Sequence, residues 1–130
     1  MSESTLRRLW IVAIVVLVIA IIYSSLTPRP VVSSESFSDK MAHFLAYFTL
    51  ALLGSGIASP ARLWRTMLRC FLLGATLEAA QALLTEHRVA DVADLAANAA
   101  GIAMAWLIAG QGRAGWGLRA AAWLSERRLS

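Results

Sequence analysis

The sequence predicts an all-α polytopic membrane protein: a four-transmembrane-helix bundle with a short C-terminal tail that is interfacial or disordered. Three observations lead there. The chain is 58% hydrophobic and 15% charged, with a mean hydropathy of +0.64, too apolar for a soluble domain of 130 residues. Apolar runs recur at about 8–26, 40–58, 66–84 and 92–109, each close to the ~20 residues that a helix needs to cross a bilayer. The polar residues that interrupt them gather in one stretch, 78–101, although a charge at mid-helix costs roughly 2.5–3.5 kcal/mol on insertion scales. The expected organisation is one membrane domain over 1–112 and a basic cytoplasmic tail over 113–130.

The first run, Trp10 to Leu26, carries no charge and is rich in Ile and Val. A cleaved signal peptide would have a shorter apolar region and an A-x-A-like site after it. Here SSLTPRP follows, which favours a retained helix stopped by Pro28 and Pro30. Residues 27–38 read as a polar loop.

The second run begins after Ser38 or Asp39, either of which suits an N-cap. Asp39, His43 and Tyr47 recur every four residues and so share one helix face. Gly54 and Gly56 permit close helix contact, but their spacing is not that of the four-residue dimer motif.

Residues 58–65 are a short connection containing Pro60, and the third run, about Thr66 to Leu84, is the least hydrophobic. Glu78 and Gln81 lie on one face near its far end. An ionised Glu78 buried alone is too costly, so it must be protonated, paired or wetted; an ion pair with Arg88 or Lys40 that only locks the helices is the structural alternative. Thr85–Arg88 form a polar turn. In the fourth run Asp91 can cap and Asp94 can sit at the positive helix end, whereas Asn98 is too deep for capping and should hydrogen-bond across helices. The segment Trp116–Leu124 is too short to span, and Trp116, Trp123, Arg119, Arg127 and Arg128 suit an interfacial or loosely ordered tail.

Charge sets the orientation. For four spans, Arg7, Arg8, Arg62, Arg65, Arg69, Arg113, Arg119, Arg127 and Arg128 fall on one side, and Arg29, Lys40 and Arg88 on the other. Nine against three places both termini in the cytoplasm by the positive-inside rule, with Trp10, Trp64, Trp106 and Trp116 near that boundary. The expected location is the cytoplasmic (inner) membrane. Glu35, Asp39, Glu78, Glu86, Asp91 and Asp94 then lie at or near the outer ends, as do His43 and His87. Topology alone therefore brings ionisable residues from three helices to one depth on the outer face.

Other classes find little support. The pI near 10.2 reflects basic groups flanking apolar runs, so nucleic acid is not an expected partner. The single Cys70 forms no internal disulfide, no Cys/His set has zinc spacing, and no Gly-rich phosphate loop is present. No cofactor is expected and no metal is assigned; a divalent ion on Asp39, Glu78, Asp91 and Asp94 is a weaker reading.

The segment DKMAHFLAYFTLALL at 39–53, followed by E-x-x-Q-x6-R-x-x-D-x-x-D-x-x-x-N-x-x-G from Glu78 to Gly101, resembles the VanZ-like family of small polytopic membrane proteins. The family pattern falls on Asp39, Lys40, His43, Phe44, Glu78, Gln81, Arg88, Asp94, Asn98 and Gly101, and the resemblance covers about residues 10–108. Asp91 stands where many relatives carry serine, and Ala105 replaces a frequent second glycine. The resemblance implies kinship with a namesake associated with low-level teicoplanin resistance, and implies no agreed reaction.

Two classes of function follow. In the first, an outward-facing site binds or modifies an amphiphilic envelope component, a membrane lipid or lipid-linked precursor. His43, Glu78 and Asp94 are its candidate catalytic residues; Asp39, Lys40, Tyr47, Gln81, Arg88, Asp91 and Asn98 are its candidate ligand-binding residues. Lys40 and Arg88 would hold an anionic group such as phosphate. No nucleophile has a recognisable motif: Ser24, Ser25, Thr27 and Thr85 are merely nearby, so catalysis is left open. In the second, the protein is a non-catalytic accessory or structural subunit whose polar cluster locks the helices. A transporter is less supported, since no inverted repeat is visible, and a homo-oligomer is left open.

Overall fold

In hydrocarbon every backbone N–H and C=O must be bonded within the chain, so apolar runs of this length become helices. The computed structural model describes residues 3–27, 37–84 and 91–127. Its elements are α1 (Glu3–Leu26), α2 (Phe37–Ile57), a 3₁₀ turn (Pro60–Arg62), α3 (Leu63–Leu84), α4 (Val92–Gly110) and α5 (Trp116–Glu126). Four helices are long and apolar enough to span: Ser4–Leu26, Phe37–Ile57, Pro60–Leu84 and Val92–Gly110. No strand occurs among the described residues. The fold is the expected all-α, four-span bundle.

Boundaries differ from the sequence expectation in three places. α1 starts at Glu3 rather than near residue 8, taking Arg7 and Arg8 into its first turns. α2 starts at Phe37, so Ser38 and Asp39 lie inside its first turn and do not cap it; a carboxylate there still faces the positive end of the helix. α3 starts at Leu63, directly after the 3₁₀ turn, because Pro60 suits a helical first position that needs no N–H.

α2 is the hub and contacts every other helix; its most extensive interface is with α4. The four-span topology runs α2 and α4 in the same direction. Small residues let them approach: Ala51, Ala105 and Ala109 are at most 1% exposed. Gly101 is the tightest point, because a Cβ there would run into the backbone carbonyl of Phe44 and come within 2.9 Å of the Phe48 nitrogen. Tyr47, Leu50, Met67, Cys70, Leu77 and Ile102 fill the space between α2, α3 and α4. α1 is peripheral and exposes Ile11, Val12, Val15, Val16 and Ile19, as a lipid-facing helix should.

Of the two expectations for the tail, interfacial or disordered, the second does not hold for Trp116–Glu126, which form a helix. Gly115 N–H donates to the Ser55 carbonyl at 2.8 Å. The Trp116 indole N–H lies 3.2 Å from Ser55 Oγ and 3.3 Å from the Leu52 carbonyl. Trp10 donates to the Leu53 carbonyl at 2.8 Å and meets Trp116 edge to face, with ring centroids 5.0 Å apart. These bonds satisfy the open carbonyls at the α2 C-terminus, which is why the chain after Arg113 docks. The same end of the bundle holds a cavity of ≈580 Å³ lined by Arg7, Arg62, Arg65 and Arg69 above Ile14, Val18, Leu50 and Leu73.

Candidate functional site

Helix ends supply the polar residues, and alternating direction delivers them to one end of the bundle, opposite the arginines. α2 contributes Asp39, Lys40, His43 and Tyr47 from its first turns. α3 contributes Glu78 and Gln81 from its last two turns, both buried. The start of α4 contributes Asp91, Asp94 and Asn98. All the site residues expected from sequence meet here except Arg88, which lies outside the described residues together with Glu86 and His87.

Asp91 is the N-cap of α4: its Oδ1 accepts from Ala93 N–H at 2.7 Å. Its Oδ2 accepts from Lys40 Nζ at 3.2 Å, which ties α4 to α2. The Ala93 bond, reinforced by Lys40, holds the Asp91 carboxyl below the usual carboxylate range despite partial burial. Glu78 Oε2 accepts from the Asp91 backbone N–H at 3.4 Å, so the buried acid on α3 is spent partly on the entry to α4. Gln81 donates to the Ser25 carbonyl at 2.7 Å and thereby holds the end of α1.

His43 is the centre. Its Nδ1 lies 3.1 Å from Asn98 Oδ1, and its Nε2 lies 3.6 Å from Asp94 Oδ2. Asn98, 1% exposed, makes the interhelix bond expected of it. Because Asn98 Oδ1 can only accept, the Nδ1 position carries the proton, and Nε2 is turned to the Asp94 carboxylate. Asp94 Oδ1 lies 3.7 Å from Lys40 Nζ. Behind α4, Gly74 lets α3 close on this layer: a Cβ there would lie 3.1 Å from Asn98 Nδ2 and from the Tyr47 ring.

On the other side of His43, between α1, α2 and α3, a cavity of ≈310 Å³ is lined by Ser24, Ser25, Asp39, His43, Tyr47 and Gln81, together with Ala20, Ile21, Ala42 and Ala46. Asp39, His43 and Tyr47 all face it, as their four-residue spacing requires. The serines, noticed in the sequence only as neighbours, line it because the end of α1 folds over α2. The signal was a pair of hydroxyls closing an otherwise uninterrupted apolar run.

For metal binding, the residues that converge are Asp39, His43 and Asp94, one donor atom from each lying within 4.8 Å of the others. This differs from the all-carboxylate set of Asp39, Glu78, Asp91 and Asp94. Glu78 is turned to the Asp91 amide, and Asp91 to its own cap and Lys40.

Among known proteins, a family model described as VanZ/LLP1 matches residues 9–111. A search of curated proteins gives no match, and neither does a search of solved structures. The matched stretch begins in α1, ends just past α4 and contains every site residue named above; α5 lies beyond it. With the family pattern running through all four spans, the chain belongs to the VanZ/LLP1 family.

Proposed function

We propose that this VanZ-family membrane protein uses the Asp39–His43–Asp94 end of its bundle to capture the anionic head group of an amphiphile at the outer face of the cytoplasmic membrane. The observation that carries the reading is the ≈310 Å³ cavity, whose wall combines ionisable and hydroxyl groups with apolar α1 and α2 side chains. That mixed lining suits a molecule with a polar head and a hydrocarbon tail. Lys40 and Arg88 supply positive charge for a phosphate, and His43, oriented by Asn98, is the group fit to take up or deliver a proton. The outer-face assignment rests on the nine-to-three arginine and lysine asymmetry. A lipid-linked envelope precursor is the ligand class that fits, and altered teicoplanin susceptibility is the cellular consequence to look for.

A second reading has its own support. Gln81 is spent on Ser25, Glu78 on the Asp91 amide and Asp91 on Lys40, all bonds that hold helices together, while Asp91 also caps α4 through Ala93. On that reading the cluster is a lock and the protein is an accessory subunit.

The experiment is binding and turnover of labelled phospholipid and undecaprenyl-phosphate-type lipid by the purified protein in vesicles, wild type beside His43→Ala. Capture at the site predicts at least a tenfold loss of binding in a variant that keeps its helical circular dichroism and monodispersity. Unchanged binding by a folded His43→Ala protein rules the site out, and an unfolded variant favours the lock. A new head-group species with wild type alone would make the protein an enzyme.

A further inference from the structure

We propose that Asp39, His43 and Asp94 together bind one divalent transition-metal ion such as Zn²⁺ or Mn²⁺, leaving an open coordination position toward the cavity. The inference deepens the head-group reading and rests on the same end of the bundle: the ion would be the partner of the ligand's phosphate.

The first observation is the donor set. Asp39 and His43 stand four residues apart on one face of α2, the spacing that lets two side chains of one helix share an ion. Asp94 joins them from the first turn of α4. Two ligands on a zinc-sized ion at about 2.1 Å are roughly 3.4 Å apart at a tetrahedral angle. His43 Nε2 and Asp94 Oδ2 are 3.6 Å apart. The three donors lie within 4.8 Å of one another, so an approach of about 1 Å brings them to ligand spacing. One imidazole with two carboxylates is the chemistry of a borderline divalent ion.

The second observation is a buried oxygen without a hydrogen bond on the same carboxylate whose other oxygen faces His43. Asp94 is 7% exposed, and its Oδ1 has no hydrogen-bond partner. Lys40 is the nearest cation, 3.7 Å away, and sits closer to Asp91 at 3.2 Å. A carboxylate oxygen removed from water needs a donor or a cation.

The third is the orientation of the ring. Asn98 Oδ1 takes the Nδ1 proton, so neutral His43 directs the lone pair of Nε2 at the Asp94 carboxylate. Two acceptors facing each other need a positive centre between them. A proton on the imidazole is one such centre and a metal ion is the other. A ligating histidine whose second ring nitrogen is held by an amide oxygen is the usual outer-shell arrangement.

The test is Co²⁺ titration of the full-length protein in detergent after stripping with chelator, followed by visible d–d absorption and by metal analysis. About one Co²⁺ per chain is expected, with the intense absorption of a low-coordinate site. Asp94→Asn and His43→Ala should each weaken Co²⁺ at least tenfold, and Asn98→Ala by about tenfold through loss of the outer-shell bond. In wild type alone, a paramagnetically shifted, exchangeable imidazole N–H resonance should mark His43, so the proposal stands or falls even if a variant does not fold. Absence of saturable Co²⁺ uptake by wild type, or a folded His43→Ala protein with the wild-type spectrum and affinity, overturns it. Vesicle binding by the stripped protein, measured before and after Co²⁺ is added back, separates the two readings. Head-group capture without Co²⁺ uptake defeats the metal site alone; Co²⁺ uptake without capture defeats the head-group reading alone.

Discussion

Asp91 shows how one side chain can serve two helices. It caps α4 through Ala93 and anchors α2 through Lys40. Replacing it with alanine should cost about 1 kcal/mol, the usual worth of a cap, while asparagine should retain most of it. The pH dependence follows from the sign of its shift. The folded carboxyl titrates below its unfolded value, so its contribution is full above the unfolded pKa, near ~3.9, and is lost as pH falls through the folded value. Thermal unfolding of wild type and Asp91→Ala between neutral and acid pH should therefore converge at the acid end. The cap was readable in the sequence, because an aspartate stands immediately before an apolar run. Its tie to Lys40 was not, since the partner lies 51 positions away and only the packing of α2 on α4 brings the two within reach. For the same reason Asp39 read as a cap: nothing in the chain before it indicates that the helix begins two residues earlier.

Among the helices, α2 and α4 are fixed to each other at Gly101, where backbone meets backbone. Gly101→Ala must push them apart, and overpacking of this kind costs about 1–3 kcal/mol. A lowered unfolding temperature is expected, together with weakened His43–Asn98 contact, seen as a shifted His43 imidazole resonance. Full stability in Gly101→Ala would mean that the two helices are not in such close contact. The four spans were legible because each is an apolar run near bilayer length, bounded by charge or proline. α5 was underestimated: eleven residues with Arg119 and two tryptophans look merely interfacial until Trp116 is seen bonding the end of α2. Sequence periodicity gives an amphipathic face but does not say what it will meet.

At the scale of the molecule, alternation of helix direction sorts the chain into an acidic, histidine-bearing end and an arginine-bearing end. Cysteine accessibility can check which faces outward. In a Cys70→Ser background, Ser33→Cys should react with an impermeant maleimide in intact cells, and Gln111→Cys only after permeabilisation. The opposite pattern would invert the protein and move the histidine cluster to the cytoplasm. Convergence of the cluster itself was predictable, because four spans leave the entries of α2 and α4 and the exit of α3 no other place to meet. Which donor atoms face one another within it was not predictable, since angstrom distances between side chains on different helices leave no trace in spacing.

The edge-to-face meeting of Trp10 and Trp116 has a practical consequence. Two indole chromophores 5.0 Å apart couple their electronic transitions, so the seating of the last helix carries its own optical signature in circular dichroism. Detachment of that helix would erase the couplet while the backbone signal of the spans persisted, giving a label-free gauge of whether a purified sample has kept this joint.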